Sequence, residues 1–371
     1  MKRIFKIAAA LIAAGSIVTL AGCGGQTPNN RVATSANWNV RTSTNVERSY
    51  VDTWKTNAEV ATYKVSFSGG GNSTYSVNYD DGSYETKFYV QDGYDWNSAD
   101  IPEAYRSAEY AAETVYVYET TLSLTGAYTH TASGEKHEFS DSVTTKTLFR
   151  LADDNLQPVY SLQDIKSTTA ANLSAADISK TYVEIDAVYE TFYNHDCTQA
   201  TVYTTEEGKQ TVTSTADLKS SNGYSLFENS QLAAAVRAFT RTSGSGYLFD
   251  VFSPQSSAKQ TVQAACGEAT ALNGEDAAQK GIIDALDAAA PYIFFDGSNG
   301  DESELEYRYN AVTLTMAAAM AGQSNTYWYS TVENSDINAT RSVLLRVVTP
   351  LSFGLGTLEY NLEKLELVSL G

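Results

Sequence analysis

The side chains of this chain that could do chemistry are three histidines, three cysteines and a scatter of serines and carboxylates. His130, His137 and His195 each lie in polar, turn-like sequence, and no H-E-x-x-H or C-x-x-C spacing accompanies them. His130 and His137 flank an expected turn, yet a metal site would need further ligands. Serine nucleophiles fare little better. Gly223-Tyr224-Ser225 opens like a nucleophile elbow, but Phe227 stands where a glycine must permit the sharp turn. Gly244-Ser245-Gly246 reads as a loop. Ser256-Ser257-Ala258-Lys259 has the Ser-x-x-Lys spacing that can set a lysine beside a serine, without the S-D-N or K-T-G elements that complete it. Asp296, Ser298, Asp301 and Glu304 place hard oxygen ligands in a glycine-rich loop and are weak calcium candidates, lacking the full EF-hand order. The expectation is a noncatalytic protein with no cofactor beyond that calcium candidate.

The stretch that says most is Leu20-Ala21-Gly22-Cys23. Lys2, Arg3 and Lys6 precede a charge-free apolar run from Ile7 to Leu20, and small residues stand directly before the cysteine. This is the order of a signal peptide, and the run is too short for a retained spanning helix. The stretch resembles the lipobox of bacterial lipoproteins. That resemblance implies cleavage between Gly22 and Cys23, a diacylglycerol on the Cys23 thiol, and a mature chain held at the outer face of the cytoplasmic membrane, or at an outer membrane where there is one. An ordinary cleaved secretory signal is the alternative. Residues 24–45, rich in Gly, Asn, Thr and Ser, then read as a tether that holds the body about 25 Å from its anchor.

With Cys23 consumed by lipid, Cys197 and Cys266 are the remaining thiols, either bridged in an oxidising compartment or both buried and free. The formal net charge is -19, and loss of residues 1–22, with three basic and no acidic side chains, makes it -22. Such a chain repels nucleic acid and anionic headgroups. The partner expected is the membrane, through the lipid, and beyond it a lipid or other apolar ligand.

Periodicity argues for a β-rich α+β fold. A helix is expected over 47–60. From Ala61 the pattern alternates, and Asp80-Asp81-Gly82-Ser83 between two alternating runs predicts a hairpin of 73–79 with 84–90. Long strands follow over 114–128, 139–151, 159–167 and 182–193. A hairpin of 200–205 with 209–214 completes an antiparallel meander spanning residues 47–215. The texture then changes across residues 216–371. Helices are expected over 225–240 and 275–290, the second stopped by Pro291, with strands over 247–252, 259–265, 305–315, 325–332, 341–349 and 357–368. In the last strand the alternation of Leu358, Tyr360 and Leu362 resumes at Leu365 and Leu367, a phase change that a bulge would explain. The tail strands are placed so that they could complete the first sheet.

A long curved antiparallel sheet with a few packed helices loosely resembles the half-barrel carriers of lipids and lipoproteins, the LolA and LppX type. That resemblance implies a concave apolar face, here lined by Tyr116, Leu122, Val143 and Phe149. The first expectation for function is nevertheless a noncatalytic surface lipoprotein, with a carrier of apolar ligands second and an extracytoplasmic hydrolase third.

Overall fold

The computed structural model describes residues 55–70, 74–110, 112–152, 155–170, 178, 182–237, 239, 241, 243–289, 307–316, 324–332, 342–351 and 354–371. The expected leader, Cys23, all of the expected tether and the acidic loop at 296–304 lie outside them.

The described chain is mainly β, built as one curved, open sheet of fifteen strands. In chain order they are β1 (Asn57–Gly69), β2 (Tyr75–Tyr94), β3 (Glu113–His130), β4 (Lys136–Ala152), β5 (Asn155–Ala170), β6 (Tyr182–Tyr193), β7 (Gln199–Glu206), β8 (Val212–Asp217), β9 (Leu226–Glu228), β10 (Gly246–Ser253), β11 (Ala258–Ala271), β12 (Tyr307–Met316), β13 (Asn325–Val332), β14 (Leu344–Pro350) and β15 (Gly356–Ser369). The spatial order runs from β8 back to β1, then β15, and from there back to β9. First and last strands therefore pair antiparallel at the centre, Val65 opposite Tyr360, and two antiparallel arms leave from that seam, the second ending in β9, which joins β10 parallel. The bulge read from the phase change in β15 is present there, as a register shift at Thr62/Tyr63 that skips Glu363.

Three expected elements are corrected, the first being the helix over 225–240, which opens as strand at Leu226–Glu228 and is α-helical over Leu232–Arg237. Residues 57–60 of the expected helix belong to β1, because Ala58 and Ala61 turn to the core and the backbone is held between β2 and β15. Residues 80–83 do not turn. They run through the middle of β2, a continuous 20-residue strand, with a register shift against β3 between Tyr79 and Asp81. Gly82 is there for space. A Cβ on it would meet Leu124 Cδ2 at 2.6 Å and Val65 Cβ at 3.0 Å. Gly126, opposite Tyr79 on β3, is more confined still, because a Cβ would sit 2.2 Å from the Asn78 carbonyl oxygen and 2.7 Å from Phe139 Cζ. Gly126→Ala is expected to cost about 1–3 kcal/mol, the usual range for overpacking. A urea midpoint equal to that of the parent would show that the strand yields freely.

The arms curl until their far ends meet through side chains. Ser214 Oγ lies 2.9 Å from Ser257 Oγ, and Lys259 Nζ donates to the Leu218 and Lys219 carbonyls at 3.2 and 2.6 Å. Into the space they enclose runs the segment from Ser225 to Arg241. It comprises β9, a short 3-10 turn at Asn229–Gln231 and helix α1 (Leu232–Arg237). Leu232, Ala234, Ala235, Val236 and Arg237 are all buried, as expected of a helix enclosed on every side. This segment is a plug. Helix α2 (Ala277–Ala288) packs beside β15, starts on an Asp276 cap that accepts from the Ala278 and Gln279 amides, and buries Ile282 and Leu286. On the convex side, residues 95–110 cover β3–β6 and form a second core of Trp96, Ile101, Tyr105, Val117, Leu148 and Phe192.

Candidate functional site

The plug is seated by polar contacts in two places. At one, Glu228 is fully buried and its carboxylate accepts from Gln163 Nε2 at 2.7 Å, from Ser230 Oγ at 2.5 Å and from the Tyr193 hydroxyl. Burial pushes the Glu228 carboxyl up, against the hydrogen bonds from Ser161, Ser230, Tyr193 and Gln163. At the other, Arg237 forks onto Glu59 of β1 at 2.6 and 2.9 Å, with both side chains buried and the guanidinium over the Phe88 ring. Tyr329 donates to the Ala233 carbonyl at 2.6 Å, which fixes the helix to β13. The plug therefore occupies the half of the interior nearest the start of β1 and the end of β13.

The other half has a different lining. Leu124 pairs with Gly82, a Cβ on Gly82 would lie 3.0 Å from Val65 Cβ, and Val65, Tyr360, Val347 and Tyr327 continue the row by pairing. Beside that row the inner face carries Tyr79, Tyr84, Tyr128, Asp141, Asn325 and Thr349. Tyr84 packs edge-on to Tyr360 with centroids 5.3 Å apart, and Tyr79 packs edge-on to Phe139 at 5.4 Å. Burial raises the Tyr79, Tyr84, Tyr327 and Tyr360 hydroxyls above the ordinary tyrosine range, so all remain protonated donors.

Several polar atoms of this half have no hydrogen-bond partner: both amide atoms of Asn325, Thr349 Oγ1, the Tyr360 hydroxyl and Asp141 Oδ2. Asn325 is 0% exposed, Thr349 1% and Tyr360 3%. Asp141 Oδ1 accepts from the Thr168 amide at 2.8 Å, and burial pushes the carboxyl up to about 7. An orphaned buried donor or acceptor costs about 1–3 kcal/mol, so natural chains satisfy almost all of theirs. Among the described residues an orphan hydroxyl also occurs at Thr191. The concentration of amide, phenol and carboxyl groups marks the unplugged half as the candidate site.

No protein-family model matches the chain, and no curated protein does. Among solved structures, a β-barrel-like protein from Brucella abortus, with a domain of unknown function named DUF1849, matches over 84% of this chain and 98% of its own at 9% identity and a TM-score of 0.41. A protein from Parabacteroides distasonis described as a "putative lipoprotein" matches over 84% and 96% at 8% identity and a TM-score of 0.15. Likenesses this remote carry no argument about the chemistry.

The residues singled out from sequence do not come together. Cys197 and Cys266 form no bridge with each other. Both are buried free thiols: Cys197 follows β6 with Sγ turned to the Pro158 carbonyl, and Cys266 lies on β11 in the other arm. Burial pushes the Cys197 thiol up to about 12 and raises Cys266 as well. His130 bonds Ser133 at 2.7 Å, and His137 stacks on Tyr182 and faces Glu184 at 3.4 Å. The Ser-x-x-Lys lysine turns to carbonyls and to Asp250 at 3.3 Å, while Ser256 bonds the Ser253 carbonyl. Ser225 is buried. The calcium candidates Asp296, Ser298, Asp301 and Glu304, and the processing residues Gly22 and Cys23, lie outside the described residues. Among the described residues no group of three or more His, Cys, Asp or Glu is placed to hold a metal ion.

One cluster escaped the sequence reading. Under the convex-side loop, Arg150 donates to Glu113 at 2.9 Å and to the His195 carbonyl at 2.7 Å, and Trp96 donates to Glu113 at 2.8 Å. The His195 ring is stacked on Tyr110 with centroids 3.4 Å apart. Partial burial works against the Glu113 charge, but the Trp96 hydrogen bond and the Arg150 charge prevail and hold the carboxyl below its ordinary range. These contacts tie residues 95–110 to β3, β4 and the β6–β7 turn.

Proposed function

We propose that this chain is an extracytoplasmic lipoprotein, tethered through Cys23, whose β body binds a ligand in the unplugged half of its curled sheet and performs no catalysis. The leader supports the address: a basic start, an apolar run and Leu20-Ala21-Gly22-Cys23 stand in order. Among the described residues no helix is long and apolar enough to cross a membrane. The observation that carries the binding reading is the set of orphaned inward groups at Asn325, Thr349, Tyr360 and Asp141. These groups are sealed from solvent in this packing, so a ligand would reach them by opening the packing around them. Against catalysis stands the dispersal of the nucleophile and base candidates, each bonded to a different part of the sheet.

The apolar-carrier alternative draws less support. Tyr116, Leu122, Val143 and Phe149 face inward as expected, but all are buried in the main core with Leu232 and Val236 of the plug. The protein's own helix takes the place an acyl chain would need. The address is tested by Cys23→Ser in the native host. The variant is expected to leave the membrane fraction and to run without its lipid mass, while an unchanged membrane fraction would overturn the anchor.

A further inference from the structure

We infer that β8 is a docking edge for a second copy of this chain, the two β8 strands pairing antiparallel about a two-fold axis so that the sheets of both copies become continuous. The inference concerns the outer edge of the sheet and goes beyond the binding reading above. Three observations lead to it.

The first is that one edge of the sheet is open. The strand order places β8 and β9 at the two edges. β9 is three residues long and lies inside, with Phe227 and Glu228 0% exposed. β8 pairs with β7, and the Leu218 amide donates to the Thr198 carbonyl at 2.8 Å, which sets the phase of that ladder. Alternation then turns the amides and carbonyls of Val212, Ser214 and Ala216 to β7 and those of Thr213 and Thr215 away from it. Among the described residues no strand pairs with that outer side. The clasp to the other arm does not use it either, because it takes the Ser214 hydroxyl and the carbonyls of Leu218 and Lys219, which lie past the strand. Thr213 and Thr215 stay exposed.

The second is that this edge lacks the devices that keep edges apart. Lysines, prolines and bulges are the usual guards of an edge strand. Val212-Thr213-Ser214-Thr215-Ala216 has no charge, no proline and no register shift against β7. Val212 is 64% exposed, the most of the large apolar side chains described. The formal net charge of the chain is -19, so an edge free of carboxylates is where two copies can approach.

The third is self-complementarity. Antiparallel pairing centred on Ser214 sets Thr213 of each copy opposite Thr215 of the other, where the outward amides and carbonyls meet their equals, and threonine pairs are favourable across strands. The same register sets Val212 opposite Ala216. At both ends Asp217 of one copy falls opposite Thr211 of the other and diagonal to Lys209, and both charged side chains are exposed. The ends therefore attract. Two strands of this length bury less than the about 1,200 Å² at which standard interfaces begin, so the dimer is weak in dilute solution.

The test uses residues 24–371, which keep every described residue, in sedimentation equilibrium up to about 0.5 mM, where so small an interface is read. Thr213→Lys with Thr215→Lys sets lysine opposite lysine twice, and Thr213→Glu with Thr215→Glu does the same with glutamate. The parent is expected to dimerise, and each double variant to associate at least about tenfold more weakly, because like charges directly opposite each other repel. An equimolar mixture of the two variants is expected to regain a dimer at least as tight as that of the parent. A parent that stays monomeric over this range overturns the inference, whether or not its edge takes an extended peptide from another protein. Association of either variant as tight as that of the parent overturns it as well, and so does a mixture that stays monomeric while both variants melt like the parent. If a variant melts lower, amide exchange in the parent decides: the Thr213 and Thr215 amides are expected to exchange more slowly as concentration rises, and exchange independent of concentration overturns the pairing.

Discussion

Arg237→Ala is expected to destabilise the fold by about 3–5 kcal/mol, the range for removing one partner of a buried ion pair. The reason lies in what is left behind. Glu59 sits on β1, the central strand of the seam, and its carboxylate takes both arms of the Arg237 fork at 2.6 and 2.9 Å while 6% exposed. Without the guanidinium, a carboxylate remains inside the sheet and must be protonated or hydrated, and the plug loses its tie to the β1 end of the interior. The double variant Glu59→Leu with Arg237→Met is expected to recover most of the loss, because two apolar groups of similar volume leave no charge behind. Urea unfolding of the single and double variants checks this. A single variant within 1 kcal/mol of the parent would mean that the pair is hydrated and that the plug is seated by packing alone. Unfolding of the double variant as severe as that of the single would mean that the charges themselves, and not the burial of one of them, hold the helix.

That seat could not be read in advance. Glu59 stood in a segment whose Tyr50, Val51, Trp54 and Ala58 suggested a helix, and nothing local reveals that its partner lies 178 positions along the chain. Most of the strands were legible because alternation is a local signal: the expected 182–193 and 325–332 coincide with β6 and β13. The Asp80-Asp81-Gly82-Ser83 hairpin was misread for a specific reason. A glycine after aspartate is a turn signal when nothing else needs the space, and at Gly82 the Leu124 and Val65 side chains do. A three-dimensional crowding requirement produced the same dipeptide as a conformational one. The plug was legible only in part. Leu232, Val236 and Phe239 lie at helical spacing, but α1 is six residues long, and the two buried alanines, Ala234 and Ala235, that mark it as enclosed look like ordinary helix formers in the sequence.

The candidate site was less legible still. Alternation tells which residues share a face, so Tyr84, Tyr128 and Tyr360 could be placed on one side of their strands. It does not tell whether a side chain finds a partner across the enclosed space, and the 25 tyrosines read equally well as strand formers. The orphaned amide of Asn325 is a property of the whole sheet. Its only sequence signal is an asparagine at the head of a strand where a turn residue would be unremarkable.

Asp141→Asn is expected to raise stability at pH 8 by up to about 4 kcal/mol and to flatten the dependence of stability on pH between about 4 and 7. Burial raises the Asp141 carboxyl from its ordinary range to about 7, and the Thr168 amide and hydroxyl, which favour the charged form, offset only part of that. In the unfolded chain the group titrates near 3.9. Between the two values the folded protein holds a proton that the unfolded chain has released, so stability falls as pH rises through that window. Below it both states are protonated and above it both are charged, and the dependence levels off. Three units at about 1.4 kcal/mol each give the upper limit, reached only if the inward face does not admit water to the carboxylate. Asparagine keeps an acceptor for the Thr168 amide and carries no charge, so it removes the titration without removing the contact. The buried Glu228 is raised in the same direction and would leave a smaller slope of the same sign in the variant. Thermal melting from pH 4 to 9 decides the matter. If Asp141→Asn parallels the parent across that range, the carboxyl is ionised at its ordinary pH, its second oxygen has found a partner, and one acceptor is withdrawn from the proposed site.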